Sequence, residues 1–231
     1  MARRVSTRPM LDPEIRAGFR RRAIADAMAE LYAERGYRAT TIADVSVRAK
    51  AARATIYEHF DNREQIFLTL LDRAISELLA AAEAGCRSTG GEPLQRIEAA
   101  LAAILAWVAE HPAPAWACLV EAQRATPESF RRYHEALSEL TALLRAAVPA
   151  DHTRPETVEE TLVGGVASIL SRLLRGGETG RAPELLPDLS ALLLAPYLKQ
   201  TAITSAFAVP PELLEILPLT PSPVPLRNGA A

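Results

Sequence analysis

Between Thr40 and Phe60 the chain fits two short helical patterns around a turn only a few residues long, and that spacing constrains the fold more than any other feature. Thr41 with Asp44 has the pattern of a capping box, in which side chain and backbone satisfy each other's orphan donors and open a helix running to about Ala49. A further helix covers roughly Ala52 to His59. Ile56 and Phe60, four apart, face inward. That leaves Arg53, Ala54, Tyr57, Glu58 and much of His59 outward, with Thr55 at the margin. Two helices so closely joined, braced by a preceding third, form a helix-turn-helix.

The preceding helix opens at Asp12 as N-cap with Pro13 in its first position. Ile15, Phe19, Ala23, Ile24, Ala27, Met28, Leu31 and Tyr32 give it one apolar stripe, and Gly36 is placed to end it. Asp61 with Glu64 suggests a second capping box, opening a long helix through about Ala84 with Ile66, Leu70, Ala74 and Leu78 spaced for burial. Further helices are expected near 93–110, 114–125, 128–148, 156–175 and 183–199. No segment alternates as a strand does, so the expected class is all-α. The last stretch holds six of the 17 prolines and reads as an extended tail. The expected organisation is a basic arm at 1–9, a helix-turn-helix domain at 10–62, a larger helical domain at 63–199 and the tail at 200–231.

Charge separates the two halves. Residues 1–63 carry 13 Lys/Arg against 8 Asp/Glu, a net of +5. Residues 64–231 carry 13 against 20, a net of −7. A basic leading domain on an acidic body directs only the first towards a polyanion. The second helix of a helix-turn-helix enters the DNA major groove while the first crosses the backbone. Arg53, near the start of that helix, has the fork that reaches guanine O6 and N7. Thr55, Tyr57 and His59 can donate to phosphate oxygens, contacts that set register.

Residues 22–70 resemble the DNA-binding domain of the TetR family of bacterial transcriptional repressors. The resemblance rests on "AIADAMAELYAERGYRATTIADV", then "RATIYEHF", then "NREQIF". It implies backbone contacts from Thr41, Thr55, Tyr57, His59 and Arg63, and base reading mainly by Arg53 and Ala54. It also implies repression by occupancy of double-stranded operator DNA, relieved when a small-molecule effector binds the body of a homodimer. The chain departs from the family pattern in three places. Lys50 stands where the family usually has Gly, at a position needing a left-handed backbone. Ala52 replaces a usual Ser and cannot cap, and Glu58 adds a negative charge near the phosphates.

In the body, Trp107, His111, Trp116, Phe130 and Tyr133 fall on neighbouring helices. They read either as core packing or as the walls of a ligand pocket. A ligand near Trp107 and Trp116 would tilt the helix at 62–84, which runs from the recognition helix into the body. For the dimer, Leu162, Val166, Ile169 and Leu173 form one stripe beside Gly165, and Leu185, Leu189, Leu192 and Leu193 another. His111, His134, His152 and Cys118 lack metal-ligand spacing, and Cys86 with Cys118 makes no redox motif, so no metal or cofactor is expected. The longest apolar run, Ala99 to Ala109, is too short to span a membrane, which suggests a cytoplasmic protein with no membrane partner. An enzyme or carrier with a merely structural helix-turn-helix is the alternative, but no nucleophile–base pair or carboxylate pair supports it.

Overall fold

The computed structural model describes residues 12–148, 155 and 157–198. The expected arm, the tail and His152 lie outside the described residues. Within them the chain is helical, with no strand. Nine α-helices follow in order: α1 Pro13–Ala39, α2 Ile42–Arg48, α3 Arg53–Tyr57, α4 Arg63–Ser88, α5 Pro93–Glu110, α6 Pro112–Trp116, α7 Pro127–Ala147, α8 Val158–Arg175 and α9 Leu186–Leu194. A π-turn, Ala117–Glu121, continues α6, and a 3-10 turn, Thr179–Leu185, leads into α9. The described residues up to Leu193 belong to one compact unit. Of the second, Leu194–Ala231, the described part carries a short 3-10 turn at Ala195–Tyr197.

Helix α1 starts as its residues dictate, with the Asp12 carboxylate accepting from Glu14 N at 2.8 Å and Pro13 in the first turn. Its first two turns depart from the expected stripe: Ile15 and Phe19 are 50% and 64% exposed, and Ala23 is exposed too. Burial begins only at Ile24, where α4 and α6 arrive. Gly36 breaks the helix at φ 79°, ψ 169°, and three more helical residues follow before Thr40. The long helix α4 is capped one residue later than the sequence suggests. Asn62 accepts from Gln65 N at 2.9 Å, and Gln65 Oε1 accepts from Asp61 N at 2.6 Å.

One core joins α1 to α4. Ile24, Met28, Leu31 and Tyr32 pack with Val45, Ile56, Phe60, Ile66, Phe67 and Leu70. Each large side chain buried so contributes about 1.5–3 kcal/mol. The rings of Tyr32, Tyr37 and Phe67 lie 5.2–5.5 Å apart in tilted and edge-on pairs. A second core lies between α4, α5, α7 and α8. There the paired stripes expected to face a second copy need correction. Leu162, Val166, Leu189 and Leu193 are buried within the chain, Ile169 and Leu173 are half-buried, and only Leu192 of the eight is exposed. Much of the apolar face of α8 is covered within the chain, by α7 and the π-turn above all.

Helices α4 and α5 meet backbone to backbone at Gly85. A Cβ there would stand 2.5 Å from Ala99 O and 2.7 Å from Ala100 Cα. Neither helix can yield without moving its buried neighbours, so Gly85→Ala is expected to lower unfolding free energy by about 1–3 kcal/mol, the usual cost of overpacking. Urea denaturation measures it. An unchanged midpoint would mean that the two helices separate freely here.

Candidate nucleic-acid interface and ligand cavity

Helix α2 is held by both ends. Thr41 and Asp44 form the expected capping box, with Thr41 N donating to Asp44 Oδ2 at 2.8 Å and Asp44 N to Thr41 Oγ1 at 3.3 Å. At the other end Arg48 reaches Glu30 Oε2 at 2.9 Å and Glu34 Oε2 at 2.8 Å, tying α2 to α1. The hydrogen bonds from Thr41 hold the Asp44 carboxyl below its ordinary value. The turn to α3 then passes through Lys50 at φ 51°, the left-handed conformation inferred from its position. Ser46 Oγ, donating to Ala51 O at 2.7 Å, closes it.

Helix α3 is five residues long, shorter than expected, and Ala52 gives it no side-chain cap. Ile56 and Phe60 fix its roll, at 0% and 2% exposure. Arg53, Ala54, Tyr57 and Glu58 are consequently exposed, and Thr55 and His59 half-buried. Arg53 makes no ion pair among the described residues. Four of the named side chains thus share one uncovered helical surface with Arg53 at its leading end.

Two of the residues assigned to DNA also have work inside the chain, Thr41 in its expected capping box and Arg63 in a role the sequence did not mark. Thr41 Oγ1 donates to Asp44 Oδ2 at 2.6 Å, within the cap. Arg63 lies over the Tyr37 ring, 4.1 Å from its centroid, and donates to Thr40 O at 2.6 Å and Tyr37 O at 3.2 Å. Arg63 thereby satisfies the Thr40 carbonyl and adds a second donor to Tyr37 O, which already accepts from Thr40 N at 3.3 Å. Its guanidinium braces the junction of α1, α2 and α4.

The aromatic cluster proposed as ligand walls is not one cluster. Trp107 is buried and stacks on His111 at 5.4 Å, whose Nδ1 lies 3.0 Å from Trp107 O. Trp116 packs against the core beneath the helix-turn-helix. Phe130 is 49% exposed and Tyr133 half-buried on α7. None of the five lines the apolar cavity of the body. That cavity, about 90 Å³, lies among Leu78 and Ala82 of α4, Ile97, Leu101 and Ile104 of α5, Leu119 of the π-turn, Leu137, Leu140 and Leu144 of α7, and Val166 and Leu170 of α8. Trp107 lies one turn beyond Ile104, the last residue of α5 that lines the cavity. Ordinary leucines and alanines carried no mark in the sequence.

The cavity has no hydrogen-bonding wall except the Cys86 thiol. It is several times larger than a water requires, yet offers water no partners, so it gains most from an apolar occupant. Behind it stands Glu121, a carboxylate at 3% exposure that the sequence reading passed over. Its Oε1 accepts from Tyr37 N at 2.7 Å across 84 residues, and its Oε2 accepts from Arg124 Nη2 at 2.7 Å.

Comparison with known proteins places the first domain. Residues 24–70 match the profile of "Bacterial regulatory proteins, tetR family". The chain is 35% identical over 72 residues to the HTH-type transcriptional repressor KstR2 of Rhodococcus jostii, covering 31% of this chain and 35% of that protein. It is 26% identical over 102 residues to the HTH-type transcriptional activator FasR of Mycolicibacterium smegmatis, covering 44% and 46% respectively. The matches therefore span less than half the length of these curated relatives. The transcriptional regulator FadR of Bacillus subtilis, solved with stearoyl-CoA, superposes with a TM-score of 0.65 over 75% of this chain and 97% of its own, at 17% identity. At that identity the likeness is one of fold.

Arg63 separates bracing from DNA contact in a way that stability reads directly. Arg63→Ala is expected to cost about 1–3 kcal/mol of unfolding free energy, because it strands the Thr40 carbonyl and uncovers the Tyr37 ring. Tyr57→Phe, on the open face, is expected to stay within about 0.5 kcal/mol. Equal midpoints for both variants in urea would contradict the brace.

Proposed function

We propose that this chain, a member of the tetR family by its residues 24–70, is a homodimeric repressor that leaves its operator when a small apolar molecule enters the body. The observation that carries this reading is the surface of α3, where Arg53, Ala54 and Tyr57 stand clear of a buried Ile56 and Phe60. Arg53 reads a guanine edge, Ala54 lets the helix approach, and Tyr57, Thr55 and His59 hold phosphates. Such contacts need two half-sites, because one short helix buries too little to bind tightly alone.

The dimer forms through α8 and α9, with the half-buried Ile169 and Leu173 and the exposed Leu192 at its centre. Gly165 supports close approach, since a Cβ there would meet nothing within the chain. The effector is aliphatic where it enters the cavity, whose walls supply carbon and one thiol, and any polar end lies outside. A cytoplasmic site of action fits a chain in which, among the described residues, no single helix is long and apolar enough to cross a membrane.

Selection of duplexes from a random library tests the reading. The expected product is a pair of related half-sites about one helical turn apart. On that duplex Arg53→Ala is expected to cost about 1–3 kcal/mol and to relax preference at one base pair in each half-site. Unchanged affinity and preference would remove α3 from the groove. Gly165→Glu is expected to sediment as a monomer at micromolar concentration and to lose the duplex. A wild-type monomer at that concentration would refute the dimer.

A further inference from the structure

Gly36 interrupts α1 seven residues before Ala43, so the backbone entering the helix-turn-helix lacks ordinary helical partners for its next amides. Tyr37 N finds its acceptor in neither α1 nor α2. It donates to Glu121, on the opposite side of the domain junction. A buried amide would otherwise be costly to leave unpaired, so this carboxylate fixes where Tyr37, Thr40 and Arg63 sit, and through them the start of α2. Arg124, on the solvent side of Glu121, supplies the countercharge that lets a carboxylate stay there.

The segment that presents Glu121 is a π-turn, and such a turn contains one residue more than an α-helix needs. Its Ala122 N bonds to Ala117 O, at 2.9 Å. Ala117 belongs to the core under the helix-turn-helix, while Leu119, two residues on, lines the cavity. The carbonyl of Leu119 accepts from Gln123 Nε2 at 2.5 Å. It also lies 2.6 Å from Ser171 Oγ of α8, whose single proton it shares with Ala167 O at 2.8 Å. These contacts hold the turn in its wider register. One turn of chain thus touches the cavity, α8 and the backbone that positions α2.

We propose that Glu121 is a positioning residue for DNA binding, a latch from the body onto the Tyr37 amide, and that the π-turn makes the latch sensitive to occupancy of the cavity. The proposal rests on the repressor reading above. An aliphatic occupant displaces Leu119 and pulls its carbonyl from Gln123 and Ser171. A return to α-helical spacing then rotates Glu121 by about 100°, one residue's turn of the helix, and withdraws it from Tyr37. The α1–α2 junction loses its fixed position, and with it the spacing of the two recognition helices.

Amide exchange at Tyr37, read by NMR on the full-length dimer, tests the latch without any DNA. Glu121→Ala is expected to raise that exchange and to weaken the selected duplex about tenfold. Glu121→Gln, which keeps an oxygen for the amide, is expected to restore both to near wild type. A merely structural glutamate would not give that pairing of local exchange with rescue. Thermal unfolding of the Gln variant checks that it is folded. For the link to the cavity, the straight-chain alcohol between hexanol and dodecanol that calorimetry finds to bind tightest is added to saturation. It is expected to raise Tyr37 exchange in the wild type and to leave Glu121→Ala unchanged. Equal Tyr37 exchange in wild type and Glu121→Ala would overturn the latch, and alcohol binding with no change at Tyr37 would overturn its link to the cavity. A wild type that selects no duplex, or binds none of the alcohols, would instead overturn the repressor reading, while the Tyr37 comparison still decides the latch.

Discussion

The packing of Ile56 and Phe60 into the core shared by α1 and α4 is the constraint on which the exposed surface of α3 depends. A helix of five residues has no stability of its own, because the cost of the first turn is never recovered in so short a run. It has no side-chain cap either, since Ala52 cannot supply one. What fixes α3 is tertiary: two side chains driven into the core that also holds Tyr32, Tyr37 and Phe67 set its position and its roll together. Its exposed face is then whatever remains, and that remainder is Arg53, Ala54, Tyr57 and Glu58.

The same dependence explains why the binding domain is not an independent module set upon the body. Phe67 and Leu70 of α4 lie in the core under the helix-turn-helix, and Leu78 and Ala82, two to three turns on, line the cavity. Helix α4 was expected to be the one rigid element reaching both regions. The π-turn is a second, and it differs in kind. A regular helix transmits displacement only by tilting, whereas a turn with an extra residue has two registers available. Interfaces with discrete alternatives convert small local changes into larger ones.

Legibility in the sequence followed the range of the interaction. The Thr41–Asp44 box and the inward pair Ile56 and Phe60 depend on residues within a turn or two, and spacing reveals them, while the left-handed Lys50 was implied by the family resemblance. Ile15 and Phe19 fit the α1 stripe equally well, yet nothing arrives to cover them, because periodicity states which face is apolar and not how far the partner helix extends. The brace made by Arg63 and the role of Glu121 were passed over for a related reason: their partners, the carbonyls of Tyr37 and Thr40 and the amide of Tyr37, are backbone groups that carry no residue identity. The cavity escaped because aromatic residues attracted the functional reading, while its walls are leucine, isoleucine, valine and alanine at ordinary core positions.

Coupling between cavity and DNA is the central claim, and thermodynamic reciprocity tests it most directly. If one equilibrium joins the two sites, duplex must weaken alcohol binding by the same factor that alcohol weakens duplex binding. Calorimetric titration of the tightest-binding alcohol into the free dimer and into the dimer saturated with its selected duplex measures one side, and anisotropy of labelled duplex with and without alcohol measures the other. The account predicts two equal factors, of about 5–150-fold. Alcohol that binds equally well to free and duplex-bound protein would contradict it, leaving the cavity as a packing defect of a helical body.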